Sequence, residues 1–133
     1  MSIKELAEKY IAAELKAFRE GNFDDLETLE NPNVIYHIAE WPDIIGFEGH
    51  KQDILMRRDA VADLQIEFEY LTGDTNLFVL TLNETGTIEK EMPGSELPVG
   101  AKYRVDNAVL IANLSDGKTK EVWIKVGSLT TEL

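Results

Sequence analysis

The sequence predicts an α+β fold, a strongly curved antiparallel sheet packed against three N-terminal helices. Such a sheet leaves a cone-shaped cavity at its open end. Two observations carry this expectation. Apolar residues recur with a helical period through most of the first sixty or so positions, then alternate from about residue 65 onward. Helices gathered before a run of strands argue for α+β rather than for alternating α/β units. The length of 133 residues suits one domain spanning 1–133. A chain this size buries roughly two-thirds of its unfolded surface.

The first helix is expected over residues 2–20. Ile3, Leu6, Ala7, Tyr10, Ile11, Ala17 and Phe18 form one stripe, Ser2 and Glu5 form a capping box, and Gly21 ends the helix. Phe23–Leu29 reads as a second, short helix, broken at Asn31-Pro32-Asn33. Val34–Ile38 reads as a strand, residues 39–47 as a loop, and Glu48–Asp63 as a third helix. In that helix Arg57, Arg58 and Asp59 mark the wetter side. Ile66, Phe68 and Tyr70 alternate with polar residues, a half-buried strand, and turn chemistry follows at residues 72–75. Leu77–Asn83 is the next strand, and residues 84–100, rich in Gly and Pro, form a long excursion. Ala101–Leu114 and Thr119–Val126 are the last strands, joined by Ser115-Asp116-Gly117-Lys118, with a tail over 128–133.

Composition excludes several classes of function. The net charge of −12, from 25 acidic and 13 basic residues, repels a phosphate backbone, so no nucleic-acid partner is expected. The absence of Cys removes disulfides, thiolate metal sites and a Cys nucleophile. No apolar run reaches the length of a membrane span, and the N-terminal residues lack a signal-peptide core. A soluble, cytoplasmic protein with no membrane partner is therefore expected. There is no phosphate-binding Gly loop and no Gly-x-Ser-x-Gly elbow.

The segment Asn33–Leu55 carries the densest chemistry, with both histidines, His37 and His50, and Trp41. The two histidines stand thirteen residues apart on different elements, no recognised metal spacing, so no metal is expected. His50 is expected on an exposed face of the third helix.

The order of several short motifs resembles the nuclear transport factor 2-like superfamily, and within it the SnoaL-like polyketide cyclase group. These motifs are FREGNFDDLETL, NVIYH followed by IIGFEGHKQDIL, Gly73-Asp74 at the first long hairpin, and LSDGKTKEVW over 114–123. The resemblance spans nearly the whole chain. It implies a cone-shaped barrel with an apolar pocket, commonly a homodimer, that takes a small apolar or aromatic organic ligand without a cofactor. It also implies an acidic residue seven positions before the turn Gly. Counting back from Gly117 gives Leu110, and Asp106 is the nearest acid on the strand.

On these grounds the candidate catalytic residues are Asp106 and His37. Asp106 lies in the apolar run YRVDNAVLIA, where burial raises a carboxylate's pKa toward that of a general base. A pair with Arg104 is the alternative and lowers it. His37 is positioned to carry a proton near neutral pH, or else to bond backbone at the strand end. Tyr36, Trp41, Phe78, Tyr103, Leu110 and Trp123 are the candidate pocket lining. The expected function is acid–base chemistry of the cyclase or isomerase type on an apolar carbonyl compound. The alternative is a non-catalytic ligand-binding or dimerisation module of the same fold.

Overall fold

The computed structural model describes residues 1–131. Helix α1 (Ile3–Glu20) starts where the Ser2 side chain accepts the Glu5 N–H. It ends at Gly21, whose φ of 67° lies in the left-handed region and whose N–H returns to the Ala17 carbonyl. Helix α2 (Asp24–Leu29) leads directly into strand β1 (Glu30–Ile38). β1 therefore begins four residues before the expected Val34. Asn31, Pro32 and Asn33 fall inside a register shift between Glu30 and Ile35, where the missing Pro N–H removes no ladder bond.

A short β2 (Ile44–Ile45) pairs with β1, and helix α3 (Gly46–Ala60) follows. α3 stops short of Asp63 because Val61 turns extended and pairs with Ile88. The remaining strands are β3 (Val61–Asp74), β4 (Leu77–Ile88), β5 (Lys102–Ser115), β6 (Lys118–Lys125) and β7 (Ser128–Thr130). β3 continues through Thr72 and Gly73, which pair with Val79 and Phe78, so the turn comes two residues later than expected. β4 runs on to Ile88, which shortens the excursion to residues 89–101. Residues 132 and 133 of the expected tail lie outside the described residues.

The sheet order is β2-β1-β6-β5-β4-β3, with β7 on β5. β3 to β6 form the antiparallel meander, but β1 pairs parallel with β6, so the sheet is mixed rather than wholly antiparallel. The sheet is curved and does not close. Bulges bend it: in β3 the register slips by one residue between Ala62 and Gln65 and again between Tyr70 and Thr72, in β5 between Val105 and Ala108 opposite Leu82 and Glu84, and between β5 and β6 at Asn113 and Leu114. Asp63 and Asn107 occupy two of these bulges with φ of 53° and 57°.

The helices cover one face of the sheet. Ala7, Tyr10, Ala13 and Ala17 of α1 join Val34, Phe78, Leu80, Ala112 and Val122 in the main core. A smaller core gathers Ala60, Val61, Ile88, Met92 and Tyr103 under the excursion. Among the described residues no helix is long and apolar enough to cross a membrane.

Candidate functional site

A cavity of about 420 Å³ lies between the helices and the concave face of the sheet. Tyr10, Glu14, Tyr36 and His50 line its fully buried end. Ile66, Phe68, Leu82 and Leu110 supply apolar wall, and Trp41, Leu97 and Leu129 lie toward the exposed rim.

The buried end is polar. His50 projects from the first turns of α3 with its ring stacked on Tyr36, centroids 4.0 Å apart. Its Nδ1 lies 2.8 Å from Glu30 Oε1, and its Nε2 lies 3.2 Å from Glu14 Oε1. Glu30 Oε2 accepts the Tyr36 hydroxyl at 2.7 Å. That bond uses the one Tyr36 proton, so Tyr10 is the donor in the 2.5 Å contact between the two hydroxyls. Carboxylates on both sides of one ring favour imidazolium. Burial alone would lower the His50 pKa, but the fields of Glu14 and Glu30 outweigh it and lift the ring to about 9. For Glu14, burial raises the carboxyl, the His50 charge opposes it, and Glu30 adds to the rise, with a result of about 7. Glu14 Oε1 is buried near the His50 charge, yet among the described residues it has no aligned donor.

Glu14, Glu30 and His50 also bring three possible metal-ligand atoms within 4.8 Å of one another. Each carboxylate faces a different ring nitrogen, so a proton on each nitrogen pairs the three groups.

A second polar group flanks the first. Asp53 accepts Arg57 Nε at 3.0 Å one helical turn along α3, and the Arg57 guanidinium lies 5.5 Å from the Trp41 ring. Tyr103 donates to Glu84 across the sheet at 2.5 Å. Burial first, and then the Glu84 charge, push the Tyr103 hydroxyl well above its usual pKa. All of these residues line the cavity.

Of the residues singled out in the sequence, Tyr36, Trp41, Tyr103 and Leu110 line the cavity. The other four do not. Strand alternation decides His37: Tyr36 and Ile38 face inward, so His37 faces outward. There it meets Asp43 at 3.0 Å and Glu121 at 2.6 Å and stacks on Trp123, which is 39% exposed on the same outer face. The hydrogen bonds to Glu121 and Asp43 raise its pKa.

Asp106 would share a face with Leu110 on a regular strand. The bulge at Asn107 inserts one residue between them and reverses the alternation, so Val105 and Ala108 line the cavity while Asp106 is held by Arg104 at 2.8 Å. Phe78 is core, 5.4 Å from the Tyr10 ring.

His50, expected on the surface, is instead buried at 5% exposure because α3 turns its His50 face onto β1 and α1. Glu14 had a readable signal: it interrupts the buried stripe between Tyr10 and Ala17. So did α3, where His50, Asp53 and Arg57 recur at i, i+3 and i+7.

The profile of the SnoaL-like polyketide cyclase family matches residues 9–132. The chain belongs to this family. Its fold is shared by a SnoaL-like polyketide cyclase from Agrobacterium tumefaciens, with 22% identity over 94% of this chain and 91% of the other and a TM-score of 0.70. TsrD from Streptomyces laurentii matches with 20% identity over 93% and 87% of the two chains and a TM-score of 0.71. SalBIII, an epoxide hydrolase/cyclase-like enzyme with a role in pyran ring formation in the polyether salinomycin, matches with 16% identity over 96% and 94% and a TM-score of 0.70. Among curated proteins none matches the sequence.

Proposed function

We propose that this SnoaL-like chain binds a small, mostly apolar carbonyl compound in its cavity and moves a proton on it without a cofactor, as a cyclase or isomerase does. Glu14 is the proton-transfer group, in place of Asp106, and His50 is the charge that balances it. The carrying observation is the Glu14 carboxyl itself: buried, on the cavity wall, with an oxygen, Oε1, that no donor among the described residues satisfies. A carboxyl raised to about 7 holds and releases a proton near neutral pH. The cyclase-type neighbours support the class of reaction, though each describes only itself.

One observation favours a binding module without catalysis. Leu110 occupies the sheet position where the family resemblance implies an acid, and it lines the cavity. Solvent-deuterium exchange α to the carbonyl of bound aromatic ketones separates the two readings. Exchange that falls about 10²–10⁴-fold in Glu14→Gln supports the enzyme. Exchange no faster than in Glu14→Gln, for every ketone that binds, leaves the binding module.

A further inference from the structure

The chemistry assigned to Glu14 leaves most of the polar stripe of α3 without a role. Arg57 is the informative member. A guanidinium carries five N–H donors in a rigid fork. Among the described residues only its Nε has an acceptor, Asp53. Its terminal nitrogens belong to a side chain 18% exposed that lines the cavity under the Trp41 ring. These nitrogens are open to solvent along the cavity, so a ligand oxygen there can take their N–H bonds in place of water.

Charge selects the kind of acceptor. Asp53 pairs with Arg57 and Glu84 lines the same cavity, so the positive charge of Arg57 already has carboxylates beside it. A ligand carboxylate there would meet two carboxylates, whereas a neutral carbonyl oxygen accepts the N–H bonds and adds no charge. Arg57 stands seven residues beyond His50 on α3, which is about 10 Å of helix.

We infer that Arg57 anchors a neutral carbonyl oxygen of the ligand, a ketone, ester or amide, about two helical turns along α3 from His50, the residue that faces Glu14. Together with the carbonyl that Glu14 acts on, this gives the ligand at least two oxygen functions. This rests on the cavity being the ligand site. Arg57 then supplies remote binding energy rather than proton transfer, so its loss weakens binding more than turnover.

Calorimetric titration with three shape-matched probes tests this: 2-acetylnaphthalene, 2-ethylnaphthalene and 2-naphthoate. The ketone is expected to bind about tenfold more tightly than the hydrocarbon, the value of one hydrogen bond. Arg57→Met removes that advantage. Arg57→Lys, which keeps the charge but loses the fork, retains part of it and decides the matter if Arg57→Met does not fold. Equal affinity for ketone and hydrocarbon, or an advantage untouched by both variants, overturns the Arg57 assignment and leaves the cavity reading standing. Tightest binding of the naphthoate overturns the charge argument. Binding of none of the three overturns the cavity reading and the Arg57 assignment together.

Discussion

Nε2 of His50 lies 3.2 Å from Oε1 of Glu14, close enough for an ion pair but too poorly aligned for a hydrogen bond. The contact joins α3 to α1 beneath the cavity. Among the described residues it leaves Glu14 Oε1 beside a positive charge but without an aligned donor, a state that a ligand proton or hydroxyl can complete.

The pH profile of any proton-transfer activity follows from this pair. Activity rises as Glu14 loses its proton through about 7 and falls as His50 loses its own through about 9. The two groups interact, so the limbs belong to the pair. A bell over that window in wild type, with the acid limb gone from residual Glu14→Gln activity, is the expected outcome. A flat profile in wild type contradicts it.

Folding stability carries the same signature. Both groups have folded pKa values raised above their unfolded ones, so the folded state holds both protons more tightly. The Glu14 contribution is full below pH 4.5 and lost as pH rises through about 7. The His50 contribution is full below pH 6.5 and lost through about 9. Melting temperature should therefore decline from mildly acid to alkaline pH, and His50→Gln should flatten the upper part of the decline. A wild-type melting curve that climbs between pH 7 and 9 contradicts the arrangement.

Tyr36→Phe removes the hydroxyl that donates to Glu30 Oε2 and accepts from Tyr10. It leaves a buried carboxylate oxygen without a donor, which costs about 1–3 kcal/mol. Chemical denaturation of this variant should show a lower midpoint with unchanged slope. Tyr10→Phe leaves the Tyr36 to Glu30 bond in place and should lose less. The reverse order would mean that Glu30 is satisfied by another group.

The bulge that turns Asp106 outward depends on Gly127. A side chain there would place Cβ 1.9 Å from the Asp106 carbonyl oxygen. Gly127→Ala should therefore destabilise by at least the 1–3 kcal/mol typical of overpacking, through loss of the β5–β7 pairing that holds Asp106 opposite Ser128. Amide exchange measures it directly: protection should fall at residues 104–106 and 128–130 first.

His37→Ala and Asp106→Asn are expected to leave cavity binding and proton transfer as they were, since neither residue lines the cavity. A loss of ligand affinity in either variant, with unchanged melting, would return these residues to the site.

Much of the architecture was legible. Ser2 with Glu5, Gly21, and the alternation through Ile66, Phe68 and Tyr70 each specify local structure, because caps and periodicity act over a few residues. The strand ends were harder. Val34 and Asp63 were misplaced as boundaries because pairing to Thr119 and Ile88, distant in sequence, decides where β1 and β3 begin. The site was only partly legible. Tyr36 and His37 were both candidates, yet a strand sends neighbours to opposite faces, and the sequence does not say which face is inward.

What the sequence by itself determined is the α+β order, the family, the acidic surface and the supply of aromatic and carboxylate groups. What only the tertiary structure decided is which of those groups meet. One inserted residue at Asn107 sends Asp106 out and leaves Leu110 in, and the docking of α3 on α1 and β1 buries His50 between two carboxylates. Composition and period are local properties of a chain. A buried charge becomes chemically useful through burial and partners, and both are products of packing.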